Sequence, residues 1–286
     1  MPELFQGFPN VRDISISNNQ QEIYFTVESF KKEFSFIAVM RFKDGKWSKA
    51  KTTSFSGKDK DLEPFLSPDN LNLYFASNRR INSNVQKKDM DIWMVERTSI
   101  SSKWSTPKNM GTIINTDKDE FYPSMTNSGN LYFTAAYENS KGKEDIYMSE
   151  YIDGKYIKPV SLSESINSST YEFNAFVSPN EDLILFSSYN RKDSFGGTDL
   201  YMSKKNKNGK WSTAQNLGVH INSEKIDYCP FIDFKSNTLY FTSEKSVQLN
   251  KFNEQMTIDK ILNHMNFVPN GMSRIYKVEL FQKHID

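Results

Sequence analysis

A short apolar and aromatic anchor recurs five times along the chain, and this repetition limits the possible folds more than any other feature. The five copies are Ile23-Tyr24-Phe25, Leu73-Tyr74-Phe75, Leu131-Tyr132-Phe133, Ile184-Leu185-Phe186 and Leu239-Tyr240-Phe241. Consecutive Phe residues of the anchors are 50, 58, 53 and 55 positions apart. Repetition at this period indicates an architecture in which one supersecondary unit is copied several times.

Two further motifs accompany the anchor and complete the repeating unit. An acidic residue opens a second aromatic segment in three copies: Asp91-Ile92-Trp93-Met94, Asp145-Ile146-Tyr147-Met148 and Asp199-Leu200-Tyr201-Met202. A turn followed by a lysine and an aromatic residue comes next: Asp44-Gly45-Lys46-Trp47, Ser102-Lys103-Trp104, Asp153-Gly154-Lys155-Tyr156 and Asn208-Gly209-Lys210-Trp211. Asp-Gly and Asn-Gly favour tight hairpin turns because both residues tolerate positive φ. Each copy therefore predicts four short strands joined by hairpins.

Five copies of four strands predict an all-β fold, a five-bladed β-propeller of four-stranded blades in which residues 1–286 form a single domain. The connections are too short for the crossover helices of a parallel sheet, and an open solenoid is the structural alternative. The fifth copy ends without the turn-and-aromatic motif, whereas Pro2–Gly7 resembles the end of the fourth strand in the second copy, Pro107–Gly111. We therefore expect the N-terminal strand to complete the last blade and to close the ring.

The second and fourth copies carry a motif that resembles a known repeat. Ser67-Pro68-Asp69-Asn70 precedes the Leu-Tyr-Phe strand of the second copy, and Ser77-Asn78-Arg79 follows it. The fourth copy has Ser178-Pro179-Asn180 and Ser188-Tyr189-Asn190-Arg191 in the same places. These residues resemble the WD40-like PD repeat (PD40) of the TolB-like propeller family, over nearly the whole chain. The resemblance implies a bacterial repeat protein with a binding or scaffolding function, and a six-bladed propeller as the alternative architecture.

Composition argues against several classes of partner. Charged residues make up 25% of the chain and balance to a formal net charge of +1, so the basic excess typical of nucleic-acid binding is absent. No apolar run approaches the length that a bilayer requires. The single cysteine, Cys229, excludes an internal disulfide. We expect a monomer that neither binds nucleic acid nor inserts into a membrane.

The cellular location is inferred from the same resemblance. Residues 1–4 lack the basic start and apolar core of a signal peptide. The TolB resemblance implies export to the periplasm or the extracellular space, with the signal lying outside this sequence. A cytoplasmic location stays open as the alternative.

Alignment of the copies places carboxylates at the entrance of the first strand of each blade, which lines the central channel. The first aligned column holds Val11, Asp61, Glu120, Glu172 and Asp227. The second column, two positions later, holds Asp13, Glu63, Tyr122, Asn174 and Cys229. Strand alternation directs both columns the same way, whereas the column between them is mostly apolar and is expected to pack between blades. The acids are therefore predicted to converge at one mouth of the channel.

The predicted ligand-binding site consists of six acids, three arginines and one asparagine: Asp13, Asp61, Glu63, Glu120, Glu172, Asp227, Arg12, Arg79, Arg191 and Asn174. Crowded carboxylates raise one another's pKa values and repel, so the arginines, a cation or a polyhydroxyl ligand would have to balance them. The alternative is that the acids cap turns by accepting hydrogen bonds from backbone amides. The two arginines Arg79 and Arg191 would then pair with acids of neighbouring blades.

Signatures of catalysis are sparse. The chain has no G-x-S-x-G, P-loop or G-x-G-x-x-G motif, and His220, His264 and His284 lack a short metal-ligand spacing. We expect neither a cofactor nor a metal ion. One remaining function is a non-catalytic propeller that recognises a protein or a cell-envelope glycan at the acidic mouth.

The other function is a glycoside hydrolase-like enzyme. Five-bladed glycosidases of the arabinanase and invertase type place acids from different blades at the channel mouth, and the acids here resemble them in position only. The acid and base would be chosen from Asp13, Glu63 or Asp61, and Glu120 or Glu172.

One loop of the fifth copy, at about residues 246–272, is much longer than its counterparts. Within it Ile258, Ile261, Leu262 and Met265 recur at helical spacing, and Thr257 is a suitable N-cap. The spacing predicts a short helix over or beside the channel mouth, or one that covers a blade edge.

Overall fold

Five antiparallel sheets, one from each sequence repeat, surround a central axis in the computed structural model, which describes residues 2–5, 7–81, 89–246, 255–266 and 269–280. The predicted five-bladed all-β propeller is thus confirmed. The first blade contains β1 (Asn10–Ile16), β2 (Glu22–Glu28), β3 (Ser35–Lys43), β4 (Lys46–Trp47) and β5 (Lys51–Thr52). The second blade contains β6 (Asp61–Leu66), β7 (Asn72–Ser77), β8 (Asp91–Glu96) and β9 (Lys108–Asn109).

The remaining blades repeat this order. The sheet of the third blade contains β10 (Glu120–Met125), β11 (Leu131–Ala135), β12 (Asp145–Ser149) and β15 (Val160–Ser161), and between the last two of these β13 (Tyr151–Ile152) and β14 (Lys155–Tyr156) form a separate two-stranded hairpin. The fourth blade contains β16 (Tyr171–Val177), β17 (Leu183–Tyr189), β18 (Thr198–Lys204) and β19 (Gln215–Asn216). The fifth blade contains β20 (Asp227–Asp233), β21 (Thr238–Ser243) and β22 (Arg274–Glu279). The innermost strands β1, β6, β10, β16 and β20 contact one another in this order, and β20 contacts β1, so the ring is closed.

The closure of the ring differs in one detail from the strand that the sequence predicts. Residues Pro2–Phe5 form a short 3-10 helix beside β22, and the fifth sheet has three strands in the part of the chain that the structure describes. Phe5 is buried with its ring centroid 4.9 Å from that of Phe25 in the first blade. Proline at position 2 has no amide hydrogen to give to a sheet ladder, and burial of Phe5 fixes the segment instead.

A backbone hydrogen bond joins the last blade to the first. The amide of Val11 donates to the carbonyl of Ser273 over 3.0 Å, and the amide of Glu172 makes the equivalent bond to the carbonyl of Glu144 over 3.0 Å. The junction between the chain's two ends therefore has the same geometry as a junction within the chain.

Every innermost strand has a β-bulge at the same position. The second-column residue of each blade has positive φ: 57° at Asp13, 61° at Glu63, 50° at Tyr122, 51° at Asn174 and 53° at Cys229. The strand register shifts immediately after these residues in all five sheets. A bulge breaks the alternation of side chains, so the two columns no longer point the same way.

The helix predicted in the long loop is present as α1 (Ile258–Asn266). The carbonyl of Thr257 accepts from the Ile261 amide over 3.0 Å, and its hydroxyl accepts from the Lys260 amide over 3.4 Å, so Thr257 caps the helix. No helix among the described residues is long and apolar enough to cross a membrane.

Candidate functional site at the channel axis

The four acids of the first column are bound within their own blades. Asp61 accepts hydrogen bonds from the Ser77 hydroxyl over 2.6 Å and from Arg79 over 2.5 Å. In the fourth blade Glu172 accepts from the Ser188 hydroxyl over 2.8 Å and from Arg191 over 2.9 Å. The two arginines therefore pair with the acid of their own blade rather than with a neighbour's, because the preceding serine bonds the same carboxylate and holds it there.

The other two acids of this column accept hydrogen bonds from the loop that precedes their strand. Glu120 accepts from the amide of Thr116 over 3.0 Å and from its hydroxyl over 2.6 Å, and Asp227 accepts from the Ser223 amide over 2.6 Å. Burial raises the pKa of Glu120 to about 7 and raises that of Asp227. Glu120, Glu172 and Asp227 thus cap the loop that leads into their innermost strand, and Asp61 accepts from the Ser56 hydroxyl of the corresponding loop, so each first-column acid has partners close to its own strand.

The second column, in contrast, meets at the channel axis around a single guanidinium. Arg12 Nε donates to Asp13 Oδ1 over 2.8 Å, and Arg12 Nη2 donates to Glu63 Oε1 over 2.7 Å. The same nitrogen lies 3.4 Å from the sulfur of Cys229, and the guanidinium carbon lies 5.0 Å from the ring centre of Tyr228. We call the residues that converge here the Arg12 cluster: Arg12, Asp13, Glu63, Tyr122, Asn174, Tyr228 and Cys229.

Glu63 connects this cluster to the two blades that Arg12 does not reach. Its Oε2 accepts from the amide of Tyr122 in the third blade over 2.7 Å. Its Oε1 accepts from Asn174 Nδ2 in the fourth blade over 3.4 Å. Side chains or amides of all five blades therefore contact one another at the axis.

Positive charge is scarce in the cluster relative to its carboxyl groups. Glu28, at the end of β2, lies 3.9 Å from Arg12, so one guanidinium faces three carboxyl groups. Burial, reinforced by Asp13, raises the pKa of Glu63 to about 8 although Arg12 opposes this, and burial also raises the pKa of Glu28. Asp13 Oδ2 and Glu28 Oε2 are buried and accept no hydrogen bond. The cluster therefore has unused acceptor capacity.

The loop between β2 and β3 connects the mouth above the cluster to both neighbouring blades. Lys32 pairs with Glu244 of the fifth blade, and Lys60 of the second blade donates to the carbonyl of Lys32 over 3.1 Å. The same loop exposes two aromatic side chains, with 76% of Phe30 and 42% of Phe34 accessible to solvent. An apolar and charged surface thus borders this mouth of the channel.

Sequence reasoning missed Glu28 and the central position of Arg12. The central position of Arg12 could have been recognised from the repeat alignment. Arg12 is the charged member of the column between the two acidic ones, in which the other repeats have Leu62, Phe121, Phe173 and Tyr228. A charged side chain in an apolar column requires buried partners of opposite charge. Among the described residues no group of three or more His, Cys, Asp or Glu side chains has the arrangement of a metal site.

The fold is similar to that of solved structures, while no family model and no curated protein matches the chain. The endo-arabinase from Bacteroides thetaiotaomicron superposes with a TM-score of 0.57 at 14% identity, over 95% of this chain and 94% of that one. The α-L-arabinofuranosidase from Lactobacillus brevis gives 0.55 at 14% identity, over 96% and 93%. Identities this low show the propeller fold alone.

TolB from Acinetobacter baumannii is also similar, with a TM-score of 0.48 at 14% identity over 82% of this chain. The chain spans about half of that protein's length, 51%, and 34% of a puromycin-hydrolyzing peptidase from Mycobacterium tuberculosis. The neighbours thus include TolB, an endo-arabinase and an α-L-arabinofuranosidase.

Proposed function

We propose that this chain is a non-catalytic binding propeller of the TolB-like repeat type, which recognises a protein or a cell-envelope glycan at the mouth above the Arg12 cluster. In this proposal the loop 29–34 is the contact surface, Arg12 is the polar group beneath it, and the buried carboxyl groups of Asp13, Glu28 and Glu63 hold Arg12 in place. The first-column acids Asp61, Glu120, Glu172 and Asp227 support the loops around this mouth.

The observation that carries the proposal is the position of Arg12 between two acids. Hydrolysis of a glycosidic bond requires two carboxyl groups about 5–10 Å apart with the sugar between them. Here the guanidinium occupies the space between Asp13 and Glu63, whose side chains are only 1% and 3% exposed. The ion pair between Arg12 and Glu63 joins the first two blades and leaves no space for a sugar between the two acids. This arrangement favours a binding function over cleavage of a glycosidic bond.

The chemistry of the mouth suits a ligand with apolar and hydrogen-bonding groups. Phe30 and Phe34 offer ring faces that stack on sugar rings or pack on apolar side chains. Beneath these rings Arg12, whose side chain is 14% exposed, offers a hydrogen-bond donor. Export of the protein to the periplasm or beyond, which is part of this proposal, would place the surface among such ligands.

The test measures ligand binding and glycan hydrolysis with the same purified protein. Glycan arrays and pull-downs identify a ligand, and F30A/F34A should weaken its binding by at least about tenfold, the loss expected for two central aromatic contacts. Phe234, which is 51% exposed in the turn between β20 and β21, provides the control variant F234A. Equal loss with F234A, or full binding by F30A/F34A, would exclude this mouth as the site.

A second candidate function, glycoside hydrolysis, is favoured by the state of Glu63. Burial raises the pKa of Glu63 to about 8, and a raised pKa favours the protonated carboxyl group that a general acid requires. Release of reducing sugar from arabinan or another glycan, lost in E63Q, would establish hydrolysis and overturn the binding proposal. Binding without sugar release supports the non-catalytic function.

A further inference from the structure

A lateral cleft with a volume of about 1110 Å³ lies between the outer parts of the first and second blades. Its walls are the β3–β4 hairpin and β5 on one side and the loop 99–104 on the other. Six of the lining residues define the cleft: Glu22, Arg41, Phe42, Lys51, Lys103 and Trp104. The cleft belongs to the perimeter of the propeller, not to the channel axis.

The floor of the cleft is a rigid ion-pair network. Glu22 is buried and accepts from Arg97 over 2.7 Å and from Arg41 over 3.0 Å. The guanidinium of Arg97 is stacked on the ring of Trp104 at 4.3 Å, and Trp104 Nε1 donates to the hydroxyl of Tyr24 over 3.2 Å. The acid of the floor is thereby neutralised, and the aromatic ring is held in one orientation.

The rim carries positively charged side chains. Lys43, Lys51 and Lys103 line the cleft, are exposed, and have no carboxylate within 4 Å among the residues that the structure describes. Arg41 is bound to Glu22 through Nε alone, and its side chain is 53% exposed. The carboxylate of Asp69, the other acid of the lining, is engaged by the Ser67 hydroxyl over 2.5 Å. The cleft is therefore positively charged on a chain whose net charge is +1.

The walls also offer an apolar surface and hydroxyl groups. Phe42 is 40% exposed and lies 5.3 Å from Trp47 across the hairpin, so its ring has a fixed position. Hydroxyl-bearing side chains line the rest of the cleft: Thr52, Thr53, Ser54, Ser99, Ser101 and Ser102. Aromatic faces bordered by short polar side chains suit the apolar face and the hydroxyls of a sugar ring, and the cations suit an acidic substituent.

We propose that this lateral cleft binds an anionic oligosaccharide, with Lys51, Lys103 and Arg41 on its acidic groups and Phe42 on a sugar ring. The site is separate from the mouth of the channel and stands whether or not the function proposed above is correct. The acidic groups can be carboxylates, as in a uronic acid chain, or sulfates, and both present the same charge chemistry to lysine and arginine.

The test compares defined oligosaccharides by calorimetry at low salt. Oligogalacturonate and sulfated dextran oligomers represent the two acidic groups, neutral dextran oligomers lack charge, and poly-glutamate carries charge without sugar. We expect binding to at least one of the first two, weakening with added salt. K51E/K103E should lose at least about tenfold in affinity, since two attractions become repulsions. F42A should lose several-fold.

Matched control variants distinguish binding at the cleft from a general effect of charge and from binding at the channel mouth. K207E/K210E changes the net charge equally on the exposed hairpin of the fourth blade and should bind as the original chain does. Y151A removes the 43% exposed residue equivalent to Phe42 in the third blade and should also have no effect. F30A/F34A should leave this binding intact, so failure at the mouth and failure at the cleft are distinguishable.

Three results would overturn the proposal. One is that neither acidic oligosaccharide binds. Another is that K51E/K103E binds as well as the original chain, or no worse than K207E/K210E. The last is that poly-glutamate displaces the oligosaccharide at equal charge, since the cleft would then recognise charge alone.

Discussion

The guanidinium of Arg12 in the first blade donates a 2.7 Å hydrogen bond to the carboxyl group of Glu63 in the second blade. The two residues come from different repeats. Arg12 belongs to an aligned column that is otherwise apolar or aromatic, and strand alternation alone would direct Glu63 the same way as Asp61. The bulge at Glu63, where φ is 61°, turns its side chain to the axis, and the bulge at Asp13 places a second carboxylate beside the same arginine. The Arg12 cluster is therefore built around the hydrogen bond between Arg12 and Glu63.

Removal of Arg12 should therefore destabilise the fold strongly. In R12M the carboxyl groups of Asp13, Glu28 and Glu63 lose the cation that they share, and breaking a buried pair from one side typically costs about 3–5 kcal/mol. Urea unfolding measures the change. The control R41M breaks a half-exposed pair with Glu22 and should cost about 1 kcal/mol or less. A cost of R12M no larger than that of R41M would contradict the central role of Arg12.

Stability should also fall as the pH rises, and Glu63 should account for part of the fall. Its pKa is about 8 in the folded chain and near 4.5 when unfolded, so the folded state holds the extra proton between these values. The stabilisation is complete below about pH 4.5 and is lost as the pH rises through 8. Melting temperatures from pH 5 to pH 9 should drop for the original chain and drop less for E63Q. An identical slope in both would show that Glu63 is not protonated there.

The two glutamates that cap loops should contribute to stability without contributing to binding. E120Q/E172Q weakens the acceptors for the Thr116 and Ser168 amides, which costs about 1 kcal/mol per lost cap, and the loss of the charged acceptor of Arg191 adds to this cost. The control E138Q/E164Q changes two glutamates outside the capping positions and should stay within about 0.5 kcal/mol. Higher stability of E120Q/E172Q would instead indicate that the acids repel one another, as an acidic mouth requires.

Much of the fold was predictable from the sequence because it rests on local chemistry repeated five times. The Asp-Gly turns adopt positive φ at both residues, 53° and 78° at Asp44 and Gly45, as hairpins of this type require. The spacing of Ile258, Ile261 and Leu262 likewise predicted the helix α1 correctly. Such features are fixed by neighbours in the chain, which the sequence displays directly.

The arrangement of the site was less predictable because it depends on one backbone irregularity. Simple alternation sends Glu63 the same way as Asp61, whereas the bulge separates them and directs one to the axis and the other to Arg79. No residue type indicates this bulge, since Asp, Glu, Tyr, Asn and Cys all occupy its positive-φ position. Which acids meet is therefore decided by the packing of five strands around an axis, and a single repeat does not contain that information.

The N-terminal segment should be essential to the last blade even though it is a 3-10 helix. Phe5 is buried against Phe25 and belongs to the same core as Ile275 and Leu280 of the fifth blade, so it joins the two ends of the chain. F5A should cost about 3–5 kcal/mol, as expected for a core phenylalanine, and deletion of residues 1–8 should lower the melting temperature at least as much. F30A removes an exposed ring and should change stability by less than about 0.5 kcal/mol. If the deleted chain melts at the original temperature, the ring is closed by β1 and the Val11–Ser273 bond without help from this segment.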